Sequence, residues 1–355
     1  MDTSVMITLG FLVFAIVMFA WEKIPLSITA MVVAVGLHLS GVLSAKEAFA
    51  GFVDPNVLLF MGMFVIGEAF FATGVAVGVG NVVHKFAKTE TSLLVAVMMI
   101  TGVLSGFLSN TGTAAVLIPV IIGICKKSGF KQTKLLMPLV FAAAMGGNIS
   151  LIGAPGNMIA QAGLQQAGLG SFNFFDYGLV GLPILIVGTI FYATIGKRFL
   201  PDAPSHQPDG TFEGNDDYSH VPSWKKWTAA IILILTVVAM IFEKQLGVKL
   251  YVSAWIGALV LVATNVISET AAVKSIDMKT IMLFAGSMAL GDAMVKTGTG
   301  SVIADIIVNS LGASPSPIVV LVVIFVLGVF MTNFMSNTAT CALLVPIGLS
   351  LASQL

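Results

Sequence analysis

Apolar residues run along this chain in long blocks of membrane-spanning length, broken by short polar stretches. The blocks fall at about 3–21, 24–43, 55–81, 91–126, 132–168 and 174–196, then at 227–242, 250–268, 279–295 and 315–353. A spanning helix needs about 20 mostly apolar residues, so the pattern predicts an all-α polytopic membrane protein. Between the two groups lies Pro201–Ser223 (PDAPSHQPDGTFEGNDDYSHVPS), rich in Pro, Gly, Ser and Asp, which reads as a surface linker over 201–223.

The blocks repeat. FMGMFVIGEAFFATG over Phe60–Gly74 matches FAGSMALGDAMVKTG over Phe284–Gly298, an offset of 224. LSNTGTAAVLIPV matches MSNTATCALLVPI, placing Ser109-Asn110-Thr111 opposite Ser336-Asn337-Thr338 at an offset of 227. The expected organisation is a first repeat over 1–200, the linker, and a second repeat over 224–355. Polar triplets are costly inside a membrane, so a pair in register calls for a functional reason.

The triplet blocks are too long for one crossing and too short for two. Thr113 to Cys125 would cover roughly 20 Å as a helix, short of a hydrocarbon core of about 30 Å. A re-entrant hairpin with the triplet at its tip solves this, at 91–126 and again at 315–353. Non-helical backbone at that depth is tolerated only where protein or a cavity surrounds it, so each tip is expected to face a site. A break is expected in 132–168 as well, where Gly146-Gly147-Asn148-Ile149-Ser150-Leu151-Ile152-Gly153-Ala154-Pro155-Gly156-Asn157 packs Gly and Pro into a membrane segment. Freed carbonyls there can hold a cation, and a helix beginning at Asn157 can face an anion.

Charge placement tests the topology. With 91–126 as a hairpin, 13 of the 17 Lys and Arg residues fall on one side, which the positive-inside rule makes cytoplasmic, together with linker 201–223. Each repeat then crosses five times, so the second is expected to be inverted, the arrangement used for alternating access. The counterpart of Gly146 would lie near position 373, past Leu355, so the second repeat is expected to be incomplete and the sequence truncated at its carboxyl end.

Composition agrees: 57% hydrophobic, 10% charged, formal net charge zero. With Arg198 as the only Arg and no dense basic run, nucleic-acid binding is excluded. No HExxH or GxSxG motif is present, so an intramembrane enzyme is disfavoured. Cys125 and Cys341 read as small buried hydrophobes. Glu68 and Asp292 are repeat equivalents inside apolar spans. They fit a structural role at a span end, or else the titrating acids of a sodium/proton antiporter or arsenite-type carrier.

Paired SNT hairpins with a GG-x-x-x-x-IG-x-P-x-N break after the first resemble the divalent anion/sodium symporters of the ion-transporter superfamily. The resemblance implies Na⁺-coupled symport of small di- or tricarboxylates, or of another divalent anion, with no organic cofactor and a homodimer in the cell membrane. It implies substrate contacts from Ser109, Asn110, Thr111, Ser336, Asn337, Thr338, Ala154 and Pro155. It further implies one Na⁺ site at Ser105, Ser109, Asn110 and Gly153, and another using Thr332, Ser336 and Asn337. The family break usually reads IGTPPN; here Ala154 and Gly156 replace Thr and Pro, removing a hydroxyl from the expected substrate contacts.

Overall fold

The computed structural model describes residues 2–78, 89–128, 130–201, 218–311 and 316–352. Among these residues regular structure is entirely helical. The first half runs α1 (Thr3–Trp21), α2 (Leu26–Leu39), α3 (Ala45–Ala48), α4 (Pro55–Ala72), α5 (Glu90–Ser105), α6 (Asn110–Ser128), α7 (Thr133–Gly146), α8 (Pro155–Gln166) and α9 (Gly178–Thr194). The second runs α10 (Ser223–Ile241), α11 (Glu243–Leu246), α12 (Leu250–Ala263), α13 (Glu269–Ser275), α14 (Met278–Thr297), α15 (Thr299–Leu311), α16 (Pro317–Met331) and α17 (Asn337–Ala352). Four of them, α1, α4, α10 and α14, are each long and apolar enough to cross a membrane. Large apolar side chains stand exposed on several helices, Leu179 at 79% and Ile318 at 71% among them, which suits lipid rather than water.

Several blocks are shorter as helices than as apolar runs. The run at 24–43 ends with Gly41 at φ 78°, and the run at 250–268 ends with Asn265 at φ 55°. Both are left-handed positions that stop a helix. The backbone then restarts at a serine cap in each case: Ser44 Oγ accepts from Glu47 N, and Ser268 Oγ accepts from Ala271 N. Gly74 and Gly298, each at φ 74°, terminate α4 and α14 alike. These features recur at the 224-residue offset, so the duplication extends from letters to local geometry. The expected span 55–81 gives α4 only to Ala72, and its last residues, 79–81, lie outside the described set. The linker contributes only its end, a single turn at Tyr218–His220; 202–217 lie outside the described residues. Helix α15 occupies a stretch without a predicted element, because Asp305 and Asn309 keep it below the hydropathy of a span.

Contacts divide the protein into two compact units that cut across the repeats. Unit 1 comprises Met1–Leu58, Met158–Ser171 and Asp277–Leu355; unit 2 comprises Leu59–Asn157 and Phe172–Ile276. In unit 1, α2 and α14 meet through small residues: a Cβ on Gly286 would lie 2.4 Å from Ala30 O. Leu12, Phe19, Val33, Leu37, Leu290 and Met294 fill the core around that crossing. In unit 2, Leu93, Val97, Met98, Leu117, Leu135 and Leu139 join α5, α6 and α7.

Unit 1 also carries an ion pair between Glu47 of α3 and Lys296 in the last turn of α14. Lys296 Nζ donates to both Glu47 carboxylate oxygens at 2.9 Å. That ammonium, then the Ser44 N–H and hydroxyl, hold the carboxyl down at about 2, from an ordinary value of 4.5. A depressed acid stabilises the fold above its unfolded pKa and loses that contribution as pH falls through the folded one. Thermal unfolding of Glu47→Gln is therefore expected to differ slightly from wild type near neutrality, the difference closing as pH falls from 4.5 to about 2. The pair is solvent-exposed, so the effect is small. A gap that widened on acidification would contradict the assignment.

Candidate functional site

Over the segment expected to form a hairpin, 91–126, the structure has two helices, α5 and α6, joined by a turn at 106–109. Ser109 caps α6: its Oγ accepts from Gly112 N at 3.1 Å, and its carbonyl accepts from Thr113 N at 2.9 Å. The second hairpin, α16 and α17, repeats the device, with Ser336 Oγ accepting from Ala339 N at 3.1 Å. The triplet serines are therefore helix caps in both halves. In each, Asn then opens a helix whose first N–H groups and positive dipole end lie at the tip.

The break expected at 146–157 separates α7 from α8, and its backbone packs against the first tip. Ser150 Oγ donates to Gly106 O, tying break to tip. A Cβ on Gly153 would lie 2.5 Å from Gly147 O and 3.0 Å from Gly106 O, so only glycine permits this approach. The helix after the break begins at Pro155, two residues before the expected start. Asn157 is buried, and its amide donates to Gly147 O and Ser150 O, both at 2.9 Å, bracing the loop. Tyr177 in turn donates its hydroxyl proton to Asn157 O at 2.8 Å.

Asn110 reaches into the centre of this arrangement. Its side-chain amide lies 2.7 Å from Ser105 Oγ and 3.2 Å from both Ala143 O and Gly153 O. Ser105, fully buried, donates to Ala143 O at 2.7 Å. Three oxygens thus converge on one side-chain group, and its nitrogen faces them, since the opposite orientation would set oxygen against oxygen. No charged residue occurs in 105–111 or 146–157. The donor set is a hydroxyl, two carbonyls and an amide oxygen available by rotation, which is the hard-oxygen chemistry that suits Na⁺.

Unit 2 therefore brings Ser105, Asn110 and Gly153 together. Ser109 and Thr111 stand exposed at the tip, and Ala154 and Pro155 are half-buried at the start of α8. In unit 1, Thr332 is exposed and spends its hydroxyl on Val329 O of its own helix, at 3.1 Å. Ser336 and Thr338 are half-buried, and Asn337 is exposed. Two contributors escaped the sequence reading, and a third, Asn157, is read there only as a helix start. Ala143 acts through its carbonyl, which has no residue signature, while Ser150 and Asn157 sit in a segment read for its glycines. Glu68 and Asp292 are half-buried in α4 and α14.

Comparison with known proteins identifies the family. The protein is 33% identical over 211 residues to the uncharacterized transporter YfbS of Escherichia coli, covering 59% of this sequence and 35% of that protein. It is 28% identical to an uncharacterized transporter of Haemophilus influenzae, covering 98% and 77% of the two sequences. It is 25% identical to the sodium-dependent dicarboxylate transporter SdcS of Staphylococcus saprophyticus, covering 92% and 69%. Coverage of the relatives thus ranges from about a third to three quarters of their length. The solved YdaH transporter of Alcanivorax borkumensis shares the fold, with TM-score 0.63 and 15% identity over 98% of this sequence and 83% of that one. Residues 16–355, nearly the whole sequence, match the family described as CitMHS, citrate transporter, and the protein is a member of that family of multi-pass membrane transporters.

Proposed function

We propose that this protein performs Na⁺-coupled symport of small di- or tricarboxylates across the cell (inner or plasma) membrane, by alternating access and as a homodimer. The linker 201–223 lies on the cytoplasmic side in this reading. The observation that carries it is the convergence of Ser105 Oγ, Ala143 O and Gly153 O on the Asn110 amide. With Na⁺ as cargo, Asn110 turns its oxygen inward, and the hydroxyl and carbonyls complete an all-oxygen set beside Ser109. None of these groups titrates near neutral pH, which favours Na⁺ over H⁺ as the coupling ion. The family description and the name of the Staphylococcus relative support the same substrate class.

The anion is recognised without Lys or Arg. Ser109 and Thr111 offer exposed hydroxyls, α6 offers N-terminal N–H groups, and Ala154 and Pro155 flank the start of α8. Hydrogen bonds to a charged group contribute about 1.5–3 kcal/mol each and a helix terminus about 0.3–1 kcal/mol. Three or four such contacts reach the range of about 4–8 kcal/mol that corresponds to millimolar to micromolar binding. Ser336, Asn337 and Thr338 supply an equivalent set from the second triplet. Thr332, Ser336 and Asn337 supply oxygens for a second Na⁺, with Thr332 leaving its Val329 bond. Uptake of labelled succinate or citrate into proteoliposomes is expected with an inward Na⁺ gradient and absent when choline replaces Na⁺. Unchanged uptake without Na⁺ that needs a proton gradient instead would overturn the coupling assignment.

A further inference from the structure

Among the described residues, three buried hydroxyls have no hydrogen-bond partner: Thr29, Ser253 and Thr113. Thr29 and Ser253 are repeat equivalents at the start of α2 and α12, so the same packing leaves both unpaired. Thr113 is different. Its repeat equivalent, Thr340, donates to the carbonyl of the capping Ser336 at 3.1 Å. Thr113 has the same acceptor at hand, since Ser109 O lies 2.9 Å from its own nitrogen, yet its hydroxyl leaves that bond unmade.

An unpaired buried hydroxyl costs about 1–3 kcal/mol, and a valine of nearly equal shape would remove the cost. A hydroxyl kept at that cost calls for a partner absent from the ligand-free protein. Helix geometry says where the partner sits. Thr113 lies three residues after Asn110 and four after Ser109, on the same face of α6, and its Cα–Cβ bond tilts toward the helix N-terminus. Thr113 has 1% of its surface exposed, whereas Thr111 is exposed. The three- and four-residue spacing sets Thr113 on the helix face of Asn110 and Ser109, the face from which Asn110 reaches Ser105 Oγ, Ala143 O and Gly153 O.

We propose that the Thr113 hydroxyl is a further oxygen of the first-tip cation pocket, reaching the transported cation directly or through one water. This rests on the Na⁺ reading above and adds a residue to it. The test is thermal unfolding of the purified protein titrated with NaCl against choline chloride at constant ionic strength. Thr113→Val is expected to unfold no lower than wild type without Na⁺, because it removes an unpaired group. It is also expected to need about three- to tenfold more Na⁺ for half of the stabilising shift, the loss of about one hydrogen-bond-sized contact. Thr113→Ser should restore the Na⁺ response. A Na⁺-responsive wild type with an unchanged Thr113→Val overturns this inference alone; a wild type indifferent to Na⁺ overturns the cation site and this inference together. If Thr113→Val does not fold, Thr113→Ala against Thr113→Ser gives the same comparison.

Discussion

Replacing Asn110 with Ala is expected to abolish transport while the protein still folds. The amide is the one side-chain group that spans Ser105 Oγ, Ala143 O and Gly153 O, and so it joins hairpin to broken helix. Ala removes the only oxygen able to turn toward a cation from that position and takes the amide donor away from Gly153 O, while Ala143 O keeps its bonds from Ser105 Oγ and Gly147 N. Losing contacts of about 1.5–3 kcal/mol each to a charged cargo lowers binding by at least about tenfold per contact. If cation and anion sites adjoin at this tip as proposed, the combined loss should bring Na⁺-driven uptake to background. Loss of the amide's hydrogen bonds should lower the unfolding temperature by a few degrees without preventing purification. Wild-type uptake from Asn110→Ala would end the assignment of this tip as the site.

The second large effect concerns packing. A Cβ built on Gly146 would sit 2.1 Å from Gly102 O and 2.5 Å from Gly102 Cα, backbone against backbone. Neither atom can yield, so Gly146→Ala must push α7 away from α5. That displaces Ala143 O from Ser105, the bond on which the site is built. Overpacking of this kind costs about 1–3 kcal/mol or more. The reverse substitution is a sharp control. A Cβ on Gly102 points at Leu185 Cδ2, 2.4 Å away, the flexible end of a side chain that can turn aside. Gly146→Ala should therefore lower folded yield and transport severely, and Gly102→Ala mildly, although the two glycines touch each other. Equal damage from both, measured by size-exclusion yield and uptake, would show that the crossing is not held by backbone contact.

Most of the helical frame could be read from the residues in order. Apolar block length places α1, α4, α10 and α14, and the failure of 91–126 to fit either one crossing or two places the tip at Ser109. The Gly-rich run at 146–157 announces its break. Block length says nothing of α3, α13 and α15, because short helices with polar residues do not rise above a hydropathy threshold. The site was legible as residues and not as roles. Ser109 and Asn110 share a motif, yet one caps a helix while the other gathers three oxygens, a division set by the approach of a distant backbone. Ala143 enters through a carbonyl that meets Ser105 only where α5 and α7 touch, and Asn157 through amide bonds that form only when the break folds back on the start of α8. Thr113 and Thr340 are the same letter in the same frame, and only packing separates their bonding.

The amide of Asn110 has a consequence for the unloaded carrier. A nest of oxygens lacking an internal donor would repel itself when vacated, and would have to keep an ion or water on every passage. On the proposed reading, the Asn110 N–H that faces these oxygens would satisfy them once the cation is released. If Na⁺ is the coupling ion as proposed, resetting to the starting side would then not require Na⁺ to be carried back. Tight stoichiometry, on this view, is written into a half-turn of one amide.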